Sequence, residues 1–169
     1  THVVRSYIVK TKKTVTSCSP CQNCKKMCHL INTNATVINV NNGRKANVEC
    51  NSNCTTRGII YAARCKVHNL IYIGHTGDEL RTRFSKHRYD AKSRPDNNEL
   101  TTHIFQHKHD FEKDIDVTIL KDKLYTKAER EYHEDRFICL LGTKQPHGLN
   151  IDVNQFASEM YDYAQHLLD

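Results

Sequence analysis

Residues 58–87 read GIIYAARCKVHNLIYIGHTGDELRTRFSKH. The stretch has the pattern of strand, short turn, strand and helix. Gly58-Ile59-Ile60-Tyr61-Ala62-Ala63 and Leu70-Ile71-Tyr72-Ile73 are rich in β-branched and aromatic residues, which suit a pleated, half-buried surface. Gly74 ends the second strand, and Thr76 with Glu79 three residues on reads as a capping box opening a helix. In that helix Leu80 and Phe84 form an apolar i,i+4 stripe, and Arg83 and His87 form a polar pair at the same spacing beside it. Two tyrosines on adjacent strands and an Arg/His pair on the next helix should therefore converge on one side of a small sheet.

Downstream, residues 115–120 (Ile-Asp-Val-Thr-Ile-Leu) alternate and read as a third strand. Lys127–Leu141 reads as a helix stopped by Gly142, with Glu134, Phe137, Ile138 and Leu141 on one face. A carboxylate on an apolar face is costly unless it is paired or binds metal. Glu131 borders the same face and is the rival, and a plain salt bridge to Arg83 or Arg130 is the competing reading for both. Cys139 lies off the face and reads as a packing residue. Pro146-His147-Gly148-Leu149-Asn150 reads as a rigid turn, and Phe156 to Leu168 as a final amphipathic helix.

The chain of 169 residues suits one ordinary domain with a small appendage. Its net charge of +6 is uneven. Residues 1–57 hold nine Lys/Arg against Glu49 alone, giving +8, and residues 58–169 hold sixteen against eighteen Asp/Glu, giving −2. That asymmetry points to a polyanion-binding arm ahead of a near-neutral domain. Residues 1–17 are basic and β-branched (Val3, Val4, Tyr7, Ile8, Val9), as a strand or a linker would be. No apolar run is long enough to cross a bilayer, no secretory leader is present, and the opening at Thr1 suits a piece of a longer protein.

Six of the eight cysteines, Cys18, Cys21, Cys24, Cys28, Cys50 and Cys54, fall in residues 18–54. Between Cys28 and Cys50, Asn42-Gly43 signals a type I′ hairpin. Knuckle, hairpin, knuckle is the build of a zinc-ribbon-like module. So small and polar a segment would draw its folding energy from the metal. Four of the six cysteines would fill one tetrahedral Zn²⁺ site, with Cys50 the weakest candidate. Cys65-x2-His68 sits in the turn between the tyrosine strands, and His103-x5-His109 lies on a later helix and its exit. Together they make a second Cys/His zinc set, in which His107 also fits the spacing. Zinc rather than disulfide chemistry places the chain in an intracellular, reducing compartment.

The ordered set of Tyr61 in GIIY, Tyr72-Ile73-Gly74, Arg83, His87, Glu134 and Gly148-Leu149-Asn150 resembles the GIY-YIG nuclease family over about residues 54 to 150. GIIY is one residue longer than the strict signature. The cysteine cluster and the inserted Cys65, His68, His103 and His109 make the chain most similar to the C-terminal endonuclease of Penelope-like retroelements, with His68 in place of that group's second cysteine. The resemblance implies an α+β fold, with a three-stranded antiparallel sheet flanked by helices and preceded by the zinc-ribbon-like module. It implies residues 1–54 as arm and zinc module, and residues 55–169 as nuclease domain. It further implies a metal-dependent DNA endonuclease that nicks DNA and exposes a 3′-hydroxyl to prime reverse transcription. An upstream reverse transcriptase with its RNA template would be its partner, in the nucleus.

The residues supply matching chemistry. Glu134 would hold Mg²⁺ or Mn²⁺, and Arg83 would contact the phosphate with its fork of donors. Tyr61 or Tyr72 would act as base or orient the water. A pKa near 10 requires a neighbouring cation for that role, and His75 and His87 are candidates for the cation or for proton transfer. Asn150 completes the catalytic set that the family implies. Two other readings remain: a zinc-dependent DNA-targeting module without activity, and a zinc-stapled protein-interaction domain.

Overall fold

The computed structural model describes residues 17–25 and 27–151. The β-branched start of the chain and the helix expected from Phe156 lie outside the described residues. The strands are β1 (Ser17–Cys18), β2 (Thr36–Asn39), β3 (Arg44–Asn47), β4 (Asn51–Ser52), β5 (Ile59–Cys65), β6 (Leu70–Thr76) and β7 (Ile115–Lys121). The helices are α1 (Leu80–Ser93), α2 (Glu99–Gln106), α3 (Phe111–Asp114) and α4 (Lys127–Leu141).

β5 is the centre of a three-stranded antiparallel sheet of order β6-β5-β7. Its residues alternate between two cores, as the period of two requires. Ile59, Tyr61, Ala63 and Cys65 pack with Tyr72, Leu80, Phe84, Leu100 and Ile104 on the α1/α2 side. Ile60 and Ala62 pack with Ile71, Ile73, Phe137, Ile138 and Leu141 on the α4 side. Burial on both faces accounts for the nearly unbroken apolar run of β5. The described residues include no helix long and apolar enough to cross a membrane.

The segment before the sheet joins the same packing. Cys18, Met27, Leu30, Val48 and Cys50 are buried in one cluster with Tyr61 and Val117. The hairpin β2–β3 departs from the expected type I′ turn. Its loop runs over residues 40–43, and within it Gly43 alone has a positive φ, of 74°. A two-residue type I′ turn needs positive φ at both central positions. Nor does the hairpin stand beside the cysteine cluster as a ribbon would. It packs on α4 and supplies donors to that helix's C-terminal carbonyls. Asn39 Nδ2 donates to Leu141 O at 2.8 Å and to His147 O at 3.2 Å, Asn42 Nδ2 to Leu141 O at 3.0 Å, and Arg44 Nη1 to Cys139 O at 3.0 Å. Gly142 ends α4 in the left-handed region at φ 58°, where a β-carbon would also meet Asn42 at 2.5 Å.

The helix starts also differ from expectation. Thr76 is the last residue of β6, and α1 begins at Leu80 without a side-chain cap. Its first amides are taken up from outside: Leu80 N–H donates to Thr56 O at 3.2 Å and Arg81 N–H to Cys54 O at 2.9 Å. The capping box belongs to α4 instead, formed by Thr126 and Glu129.

Asn39 is fully buried, so its loss removes the shorter of two side-chain hydrogen bonds to Leu141 O and a donor to His147 O from a site that water does not reach. Asn39→Ala should lower unfolding free energy by about 1–3 kcal/mol in urea titrations. Asn42→Ala, at a less buried position, should cost clearly less. Equal and negligible losses would mean that the hairpin does not hold the helix end.

Candidate active site and metal centres

Tyr61 (β5) and Tyr72 (β6) point to the α1 side, with ring centroids 6.4 Å apart. Gly74 makes the arrangement possible. It pairs with Tyr61 across the strands, and a β-carbon there would lie 2.5 Å from the Tyr61 hydroxyl and 2.8 Å from the Tyr72 ring. The strand runs on to Thr76 and does not end at Gly74 as expected, but position 74 must be glycine for the rings to lie where they do.

α1 carries Arg83 and His87 to the Tyr61 hydroxyl. His87 Nε2 lies 2.8 Å from it, and Arg83 Nε donates to it at 3.3 Å. Tyr61 and His87 are fully buried. Burial, and then the Arg83 and Lys86 charges, push the His87 imidazole down to about 3. His75 is also lowered, by burial and then Arg130. Both rings are therefore neutral at pH 7, which corrects the expectation that either supplies a cation to the tyrosines. Arg83 is the cation at Tyr61. Its charge works against burial, yet Tyr61 is still pushed up to about 12 and Tyr72 well above its ordinary value.

His75 and Glu134 come from the α4 side of β6, with His75 Nε2 3.6 Å from a Glu134 carboxylate oxygen. Burial, then the Asp135 charge, pushes Glu134 up to about 8 despite Arg83. Such a carboxylate lacks enough positive charge around it, so its surroundings suit a cation. Glu131 pairs instead with Lys127 at 3.4 Å and is the more exposed of the two carboxylates. Asn150 lies elsewhere again. Its amide exchanges hydrogen bonds with the Ile73 backbone, accepting at 3.0 Å and donating at 2.9 Å, and accepts from Thr143 Oγ1 at 2.8 Å. Asn150 holds the strand that carries Tyr72 and Gly74 and does not reach the Tyr61 hydroxyl.

The model of the GIY-YIG catalytic domain matches residues 57–136. These residues are a GIY-YIG catalytic domain. A mutant form of the catalytic domain of the intron endonuclease I-TevI is similar in structure at 20% identity and a TM-score of 0.47, covering 57% of this chain and 94% of that one. No curated protein matches significantly. The GIY-YIG domain makes the chain a nuclease, a hydrolase of phosphodiester bonds in DNA.

Two further clusters stand apart from this site, one ahead of the matched residues and one within them. Among the described residues, Cys21, Cys24, Cys28 and Cys54 hold their sulfurs within 4.8 Å of one another, and so do the donor atoms of Cys65, His68, His103 and His109. Four thiol sulfurs, and one sulfur with three imidazoles, are the donor sets that zinc takes. The short parallel pair β1–β4 explains the first set. Ser17 lies opposite Asn51 and Cys18 opposite Ser52, so Cys21 and Cys54 emerge side by side. Cys18 and Cys50 fall outside the set. Cys18 Sγ donates to Asn32 O at 2.7 Å, Cys50 lies against Ile119 O, and burial raises Cys18 and pushes Cys50 up to about 11. In the second set His68 offers Nδ1 and His109 Nε2, 3.1 Å apart, while His107 is exposed and outside the group. Asp114 stands 3.6 Å from the other ring nitrogen of His109, as carboxylates that orient ligating imidazoles do.

Sequence reasoning missed Asn98. Its side chain accepts from Thr101 N–H at 3.0 Å, and its amide nitrogen lies 3.3 Å from His87 Nδ1. The Asn-Glu-Leu-Thr run gives the helix cap away, but nothing in it points to His87.

Elemental analysis should find two zinc ions per chain. Cys54→Ser and His103→Ala should each lose one, and Cys50→Ser should keep both. Retention of two by Cys54→Ser would refute the first set.

His87 should also make stability depend on pH. The unfolded imidazole protonates near 6.5, whereas the folded one stays neutral down to about 3. Stability is thus full above the unfolded value and falls as pH drops below it. Between pH 7 and 5 the wild type should lose about 2 kcal/mol more than His87→Gln in parallel denaturant titrations. Parallel pH curves for the two proteins would refute this.

Proposed function

We propose that the chain is a metal-dependent DNA nickase. The observation that carries the reading is that Arg83 on the Tyr61 hydroxyl and Glu134 beside His75 lie close enough to feel one another's charge, with Tyr72 between them on β6. Glu134 would hold one Mg²⁺ or Mn²⁺, hard cations that prefer carboxylate oxygen and keep several waters. When bound, the ion supplies Lewis-acid polarisation of the phosphodiester and an acidified water. The protein's own groups do the rest. Arg83 neutralises phosphoryl charge with its remaining N–H donors while its Nε stays on Tyr61. Tyr72, at the edge strand, orients the attacking water by hydrogen bonding. His75 is neutral at working pH, and beside Glu134 it is placed to accept a proton from that water.

The proposal extends to retroelement insertion. There the nick would expose a 3′-hydroxyl to an upstream reverse transcriptase carrying an RNA template, acting in the nucleus. The cysteine knuckle just before the domain and the Cys/His set inserted in its tyrosine hairpin support that reading, each as a zinc-held structural element. The basic residues before position 58 would add DNA affinity through counterion release.

Supercoiled plasmid with Mg²⁺ or Mn²⁺ should be converted to nicked circles. Glu134→Gln should slow nicking at least on the order of 10²-fold, with DNA affinity and Tm nearly unchanged. Glu131→Gln should cut like the wild type. Cutting by Glu134→Gln with loss in Glu131→Gln would place the metal carboxylate one turn earlier. Activity in both, or metal-independent nicking by the wild type, would overturn the mechanism.

A further inference from the structure

Asn98 caps α2 and touches the site histidine with the two ends of one amide. The helix decides which end is which. Only an oxygen can accept the Thr101 N–H at 3.0 Å, so Oδ1 is the cap and Nδ2 is the atom 3.3 Å from His87 Nδ1. An amide nitrogen has only protons to offer, so Nδ1 must accept and carries none. The ring has no exposed surface, so it does not take a second proton at neutral pH. Its single proton is therefore on Nε2, 2.8 Å from the Tyr61 oxygen.

We infer that Asn98 is a positioning residue that fixes His87 in the Nε2–H tautomer, making it a hydrogen-bond donor to Tyr61. The consequence is a one-way chain, Asn98 to His87 to Tyr61. Arg83 Nε donates to the same oxygen at 3.3 Å, so two N–H groups occupy it and the phenol's own proton points away from His87. His87 then cannot act as the base that deprotonates Tyr61. As a donor it stabilises negative charge on that oxygen. This deepens the nicking reading, on which only its activity arm rests.

Histidine-labelled protein and long-range ¹H–¹⁵N NMR read the tautomer without any cutting. The wild type should show His87 Nε2 protonated and Nδ1 bare, and a protonated Nδ1 overturns the assignment. Asn98→Asp keeps the helix cap, because Asp caps as well as Asn, but presents an acceptor to the ring. Nδ1 should then gain a proton. The nicking rate of N98D, measured at saturating DNA, should follow Nε2. Where Nε2 becomes bare, the rate should fall by roughly 10²-fold, with DNA affinity and Tm near wild type. Where the ring becomes doubly protonated, and so keeps Nε2–H, cutting should persist. Wild-type rates with a bare Nε2, or an Nδ1 that stays bare in N98D, overturn the proposal. A wild-type protein that shows the expected tautomer but does not nick refutes the nuclease mechanism and leaves the assignment of Asn98 standing.

Discussion

A phenol hydroxyl buried at the centre of a three-stranded sheet must be hydrogen-bonded, and the site is arranged around that requirement. Tyr61 has no exposed surface and sits on the middle strand, so no water is there to satisfy it. Its partners must come from the helix packed above, and α1 supplies them one turn apart as Arg83 and His87. His87 is itself a buried polar group and passes the requirement on to Asn98. Gly74 leaves room for the hydroxyl across the strand pair. Tyrosine, glycine, arginine, histidine and asparagine thus form one connected solution to a single desolvation problem.

The two Cys/His clusters sit where they hold the elements that carry this network. Cys54, a member of the first, gives its carbonyl to Arg81 N–H, two residues before Arg83. A zinc-held Cys54 would thereby fix the N-terminus of α1. The second cluster ties the β5–β6 turn, through Cys65 and His68, to α2 and its exit, through His103 and His109. α2 is the helix that Asn98 caps. Each staple is therefore one step removed from the Tyr61 hydroxyl. Neither lies at the reacting groups, as expected of sites whose donors are fully occupied by protein.

Burial sets the protonation pattern. It drives His87 and His75 neutral, keeps both tyrosines protonated, and raises Glu134 toward its uncharged form. Arg83 is the group in this set that stays charged without help. A divalent ion at Glu134 would reverse the last of these shifts, because a bound metal favours the ionised carboxylate.

Residues 58–87 were sufficient for strand, turn, strand and helix, because β-branched and aromatic runs and i,i+4 pairs are local signals. The bounds of α4 and the four-donor Cys/His set were legible for the same reason: helix periodicity, a stopping glycine and ligand spacing are all short-range. Three features were decided by tertiary contacts alone. The start of α1 was misread at Thr76 because its amides are capped by Cys54 and Thr56, distant carbonyls with no sequence mark. The choice of four cysteines among six depended on β1 and β4 pairing in parallel, which a two-residue strand does not announce. The charge states of His75 and His87, and the link from Asn98 to His87, followed from burial. Burial depends on what the whole chain packs over a residue, whereas a motif records only its neighbours in sequence.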